Sequence, residues 1–194
     1  NDMDFKIDEL LSRFSARQPD SHKGDYGHVF VLAGSCGYTG APYLTSQAAL
    51  VSGSGLVTLG VGKSIYPILA SKLTEVMVWP LFETKDSSPS LMAEKDIISF
   101  MEKCDCLAMG PGLSQNSETA RLVCSLIGKL AKPIVLDADG INALAGHADI
   151  LKSAKASIVL TPHAGELSRL TGKTAEEIQK DRKNIALKFA NEYN

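Results

Sequence analysis

Six short apolar runs punctuate the chain: HVFVLAG (28–34), LVTLGV (56–61), EVMVW (75–79), CDCLAM (104–109), PIVLDA (133–138) and SIVLTP (157–162). Most are continuous rather than alternating. A strand with one wet face alternates apolar and polar residues, whereas a strand covered on both faces reads as an unbroken apolar run. Helix-compatible stretches separate them at 40–52, 64–73, 90–102, 116–131, 139–153 and 163–172, and a last one covers 174–192. Thr174 and Glu177 form a capping-box pattern at the start of that last stretch. Strand and helix in turn predict an α/β domain with a mainly parallel central sheet and helices on both faces. A length of 194 residues suits one domain over 1–194.

Composition removes several classes of function. The formal net charge of −2 leaves no basic surface for nucleic acid or anionic lipid. No apolar run approaches the roughly 18 residues of a membrane span, and no charged-then-apolar leader opens the chain, so a cytosolic protein is expected. Of the four cysteines, none forms a C-x-x-C pair or has a histidine at ligand spacing, so no metal site is expected. Cys104 and Cys106 lie two apart in a strand-like run, which predicts that both pack on one face. Ile7, Leu10, Leu11 and Phe14 form an i, i+3, i+4, i+7 stripe, a predicted amphipathic helix able to pack on a neighbour in a homo-oligomer. TKDSSPS (84–90) reads as a surface loop.

Parallel sheets bind ligands beyond the carboxyl ends of their strands. Those ends read GSCGYTGA, MGPGL, DADGIN and TPHAGE, all rich in glycine or hydrogen-bonding residues. The first fits neither familiar phosphate loop: it lacks the Lys of G-x-x-x-x-G-K-[ST], and Cys36 interrupts G-x-G-x-x-G. Two readings stay open for it. Either Gly40 and Ala41 open a helix whose free N–H groups face a ligand, or the glycines serve a tight turn alone. Gly110 and Gly112 around Pro111 leave a stretch without bulk, which also suits a plain turn. Asp137 and Asp139 could bind Mg2+ through water or act as a base, and Asp139 could instead cap a helix. In TPHAGE, Thr161 is a predicted cap and Pro162 the first helical residue, which sets His163 on the first turn facing the crevice. His163 there can exchange a hydrogen bond with a polar ligand, and Glu166 suits the positive end of the helix dipole.

In order and spacing, HKGDYGHVFVLAGSCGYTGAP, SGSGLVTLGV, MGPGL, PIVLDADGINAL and LTPHAGEL resemble the ADP-dependent NAD(P)H-hydrate dehydratase family, of the ribokinase-like superfamily. The resemblance runs from about residue 22 to the end. It implies a repair lyase that phosphorylates the C6 hydroxyl of hydrated NADH or NADPH with ADP (or ATP) and Mg2+. Phosphate then leaves as the ring double bond re-forms, restoring NAD(P)H. It also implies that Ala41, Gly112 and His163 contact the hydrated cofactor, with Gly40, Tyr38, Asp137 and Asp139 completing the candidate set. Small molecules are thus the expected partners.

Two departures from the family pattern stand out. Ser114 occupies a position that is usually glycine. The family's glycine-rich segment ending in Gly-Asp, which carries the expected catalytic aspartate and the nucleotide site, falls beyond Asn194. The chain thus resembles the N-terminal two-thirds of the domain and, alone, is expected to show no turnover. Rival readings are a ribokinase-like kinase for a vitamin precursor or sugar alcohol, and a non-catalytic dinucleotide-binding module.

Overall fold

The computed structural model describes residues 18–193, so the Ile7–Phe14 stripe lies outside the described residues. Six strands form one sheet: β1 (His28–Leu32), β2 (Leu56–Gly62), β3 (Met77–Leu81), β4 (Cys106–Met109), β5 (Ile134–Leu136) and β6 (Ile158–Leu160). The spatial order is β3-β2-β1-β4-β5-β6. Every pairing between these strands is parallel, so all six carboxyl ends reach the same rim. The chain steps outward from β1 to β3, then returns to the other side of β1 for β4. That reversal between β1 and β4 is the topological switch point, where the connections diverge and leave a crevice.

Strand alternation divides the core in two. Val31 and Ala33 join Val57, Leu59 and Val61 on one face. Helices α1 (Gly40–Val51) and α2 (Tyr66–Ala70) cover that side, through Tyr43, Leu50 and Leu69. Phe30 and Leu32, also fully buried, point to the opposite face. There they meet α3 (Glu94–Met101) and α4 (Ser117–Lys129) through Ile97, Met101, Leu122 and Leu126. At roughly 1.5–3 kcal/mol for each large apolar side chain removed from water, these two layers hold the sheet between them.

The chain continues through α5 (Asp139–Asn142), α6 (Ala164–Thr171), α7 (Ala175–Lys180) and α8 (Arg182–Tyr193). Several predicted bounds shift. The run at 75–79 becomes a strand only from Met77, because its ladder with β2 starts at Thr58↔Met77, while Val76 is buried as core just before it. The helix predicted over 139–153 is one turn, then a 3-10 segment Ala148–Ser153. Between them the chain turns at Gly146, whose φ of +77° no helix accommodates. The 174–192 helix keeps its Thr174–Glu177 capping box but breaks at Asp181, where φ is −148° and ψ 51°. The stretches 64–73 and 90–102 shorten to α2 and to a 3-10 turn (Leu91–Ala93) followed by α3. Cys104 lies in the turn before β4 rather than in the strand, fully buried, while Cys106 is half-buried within it, so they share no strand face. Burial pushes the Cys104 thiol up to about 11, which keeps it protonated and unreactive. No described helix is long and apolar enough to cross a membrane.

His28 opens β1, with Nε2 2.8 Å from Thr58 Oγ1 and its ring edge-on to Phe100. Burial pushes its pKa below 6.5, outweighing the Lys103 carbonyl and the Asp105 carboxylate. The unfolded chain therefore binds the proton more readily than the folded one. Stability from this site is complete above about pH 6.5 and declines as pH falls towards the lower folded value. Urea midpoints at pH 7.5 and 5.5 are expected to differ more for the unchanged chain than for His28→Gln, and equal differences would exclude His28 as the cause.

Candidate functional site

The loops after β1 and β4 interlock at the switch point. Beyond β1, Gly34 turns with φ +90° and its N–H donates to the Pro111 carbonyl at 2.9 Å. The buried Ser35 Oγ donates to the Gly112 carbonyl at 2.8 Å. Gly110 N–H answers by donating to Leu32 O at 3.1 Å. Helix α1 then starts at Gly40 behind Thr39, whose side chain makes no capping bond. Pro42, buried in the first turn, has no N–H to satisfy. Nothing lies within 4 Å of where a Cβ on Gly37 or Gly40 would stand, so this lip is open. At Gly112 the space is closed: a Cβ there would stand 2.9 Å from Tyr38 Cβ and 3.1 Å from Ala41 Cβ. Tyr38 is 59% exposed at the mouth of the gap.

The β5 loop locks onto the β4 loop. Gly110 adopts φ +127°, and a Cβ on it would stand 1.8 Å from the Asp137 carbonyl oxygen. Asp137 N–H donates to Met109 O at 3.1 Å, and its Oδ1 accepts from Thr161 Oγ1 at 2.8 Å. Ala138, at φ +48°, turns the chain before Asp139. Asp139 does not cap its helix. Its Oδ2 accepts from Ser114 N–H at 3.0 Å and its Oδ1 from Asn142 Nδ2 at 3.2 Å, so the carboxylate ties two loops. Ser114 sits at φ +66°, a left-handed conformation that explains why glycine suits this place. Serine holds it through the Asp139 bond and by accepting from Asn116 N–H at 3.3 Å.

The start of α6 departs from the sequence-based expectation. His163 is itself the N-cap, and Pro162 precedes the cap. Its Nδ1 accepts from Gly165 N–H at 2.9 Å and Glu166 N–H at 3.3 Å. An accepting Nδ1 leaves the ring proton on Nε2, which lies 3.1 Å from Glu166 Oε1. The buried Glu166 completes a capping box by accepting from His163 N–H at 2.9 Å. Both ring nitrogens are engaged within the helix start, although 67% of the side chain is exposed. The helix start thus takes up Nδ1, while much of the ring stands exposed beyond it. Thermal melts should show His163→Ala losing about 1 kcal/mol, with His163→Asn, itself a good cap, recovering most of it. Equal losses in the two would exclude the cap as the main role.

Thus Tyr38 and Ala41 meet Gly112 at one gap, Gly40 precedes Ala41 on its open lip, Asp139 holds the Gly112 loop through Ser114, and the Asp137 carbonyl stands beside Gly110. His163 lies past the end of β6, the neighbour of β5, tied to this set through Thr161 and Asp137. Ala41, Gly112 and His163 therefore occupy one rim. The sequence reading passed over Ser35 and took 84–90 for a surface loop, whereas Ser88 and Ser90 are buried and the segment packs on the strand ends. Asp86 of that segment accepts from Cys36 N–H and from Asn116 Nδ2, at 3.0 and 2.7 Å. The local hint was a carboxylate followed by two serines and a proline in the segment after the run at 75–79. A separate apolar cavity of about 240 Å3 lies between β6 and α8, lined by residues including Leu160, Phe189 and Tyr193 and by none of Tyr38, Ala41 and Gly112.

Comparison with known proteins gives the family. The family model for NAD(P)H-hydrate dehydratase matches residues 29–194. The bifunctional NAD(P)H-hydrate repair enzyme Nnr of Thermofilum pendens is 42% identical over 174 residues, covering 90% of this chain and 33% of that protein. The ADP-dependent (S)-NAD(P)H-hydrate dehydratase of Neisseria meningitidis is 34% identical over 172 residues, 87% of this chain and 54% of its own length. The Bacillus subtilis ADP/ATP-dependent NAD(P)H-hydrate dehydratase, co-crystallised with ATP/Mg2+, superimposes with a TM-score of 0.73. Its identity is 31%, and the match covers 92% of this chain and 59% of that one. The chain thus spans about a third of the Thermofilum relative and under two thirds of the Bacillus structure. With an all-parallel ribokinase-like sheet, a family match over residues 29–194 and a relative 42% identical over 90% of its length, the chain belongs to the NAD(P)H-hydrate dehydratase family.

Proposed function

We propose that the crevice between the β1 and β4 loops binds hydrated NADH or NADPH, in a protein that returns it to NAD(P)H with release of AMP and phosphate. One observation carries this reading. Gly112 sits at the switch point with the place of its absent Cβ filled by Tyr38 and Ala41, so the two sides of the crevice close backbone to side chain, with the exposed Tyr38 ring at its mouth. Close backbone approach beside a ring suits a flat, polar dinucleotide better than a bulky apolar ligand. ADP is the phosphoryl donor in this reading, in line with the Neisseria relative. Among the described residues no three His, Cys, Asp or Glu side chains converge to hold a metal. Mg2+ is ordinarily held by one or two carboxylates together with nucleotide phosphates and water, so in this reading it comes with the ADP, and the crevice's own work is to bind and orient the substrate. Ser35 and Asp139 fix the Gly112 loop from both sides, so the substrate meets a preformed wall. A cytosolic setting goes with this reading. So does self-association, supported by Leu44 and Val51, 66% and 77% exposed on α1.

Calorimetric titration with hydrated NADPH tests the proposal. Saturable binding is expected, in preference to a hydroxyethyl heterocycle of the kind a vitamin-precursor kinase would take. The reverse preference, or no heat with the hydrate, would overturn it.

A further inference from the structure

Residues 82–90, between β3 and the turn into α3, run across the carboxyl rim rather than away from it. A Cβ on Gly62 would stand 2.2 Å from the Ser87 carbonyl oxygen, so the segment crosses the end of β2 at backbone contact. Thr84 N–H donates to Ser88 O at 2.8 Å and Ser87 N–H to Thr84 O at 3.0 Å, which closes the segment on itself. The Glu83 carboxylate accepts from Ser64 N–H at 2.9 Å and from the Ser64 hydroxyl, just past β2. Ser88 Oγ and Thr119 Oγ1, both buried, share a hydrogen bond of 2.7 Å at the start of α4.

Asp86 is the centre of this strap. Its main-chain oxygen accepts from Cys36 N–H, two residues before Tyr38. Its Oδ2 accepts from Asn116 Nδ2, four residues beyond Gly112. Asn116 in turn caps α4, its Oδ1 accepting from Glu118 N–H at 2.9 Å. An ionised carboxylate can only accept, so Asp86 draws the NH2 end of the Asn116 amide and leaves its oxygen for the helix. Removing Asp86 frees that amide to turn.

Resting on the function proposed above, we infer that Asp86 is a positioning residue for the crevice. By holding Cys36 and Asn116 together, it sets the gap between the loop bearing Tyr38 and Ala41 and the loop bearing Gly112. Neither lever is long, so a loosened strap reaches the ligand contacts directly. Asp86 touches no ligand in this scheme and acts through the two loops.

The test uses the 194-residue chain with NADPH, the product of the proposed reaction, as a fluorescent probe. Amide hydrogen exchange is measured in parallel. Asp86→Ala removes the carboxylate. Asn116→Ser severs the same link from the other side and keeps a good helix cap. Asp86→Asn retains an acceptor. Faster exchange at amides 35–41 and 110–116 is expected for Asp86→Ala and Asn116→Ser. Their NADPH affinity should weaken about fivefold to tenfold, the scale of one lost hydrogen bond. Asp86→Asn should stay within about twofold of the unchanged chain. Unchanged exchange in both severed variants would overturn the inference. So would NADPH affinity equal with and without Asp86, or a loss in Asp86→Asn as large as in Asp86→Ala. A chain that binds no NADPH at all would overturn the crevice reading and this inference with it, so the two failures are distinguishable.

Discussion

Gly110→Ala is expected to cost the fold about 3–5 kcal/mol, a large share of the roughly 5–15 kcal/mol that holds a domain together. The added Cβ would stand 1.8 Å from the Asp137 carbonyl oxygen and 2.8 Å from Gly140 N. Both are main-chain atoms, so no rotamer change relieves the collision. Asp137 is held by Met109 and Thr161, which leaves it little room to retreat. The backbone adds its own cost, since φ +127° is a region that side chains avoid. Urea unfolding should show the midpoint collapse, or the variant should fail to accumulate as folded protein. A loss below about 1 kcal/mol would mean that the β4 and β5 loops are not packed backbone to backbone.

Gly112→Ala, two residues on, should behave in the opposite way: a modest loss of stability and a large loss of binding. Its φ of +66° is a left-handed value that alanine adopts at a cost of about 1–2 kcal/mol. The nearest atoms are Tyr38 Cβ at 2.9 Å, Ala41 Cβ at 3.1 Å and Tyr38 O at 3.2 Å, on the loop after β1 and the first turn of α1. That loop can yield, because open space surrounds Gly37 and Gly40. Yielding carries Tyr38 and Ala41 out of register with the Gly112 backbone. Affinity for hydrated NADPH should fall at least about tenfold, equal to some 1.4 kcal/mol, while the melting transition stays cooperative. Equal affinity would remove Gly112 from the binding wall. The contrast between these neighbouring glycines separates a residue that holds the rim together from one that shapes the gap.

Much of this was legible because it is local. The run Phe30, Val31, Leu32, Ala33 announces a strand apolar on both faces, and the structure sends alternate members into two separate cores. Glycines after the first and fourth runs mark where the chain turns tightly, at Gly34, Gly37, Gly110 and Gly112, and the strand ends share one rim because every pairing is parallel. What stayed hidden depends on contacts distant in sequence. Thr161 is a better N-cap former than histidine, yet its hydroxyl is drawn to Asp137 of another loop, and His163 takes the cap. Asp139 reads as a base or a cap until Ser114, 25 residues away, is seen to donate to it. Asp86 falls in a stretch that reads as a surface loop, and only the folded chain brings Cys36 and Asn116 to it. The helix over 139–153 failed for a local reason given too little weight, since Gly146 stands within it at positive φ.

The most direct test of a dinucleotide crevice at the β1–β4 switch point is to titrate the nitrogen-15-labelled chain with hydrated NADPH and follow its amide resonances. The largest shifts should fall on residues 34–41 and 110–114, with smaller ones at Asp137 and His163. Shifts concentrated instead around Leu160, Phe189 and Tyr193, at the apolar cavity behind β6, would contradict it.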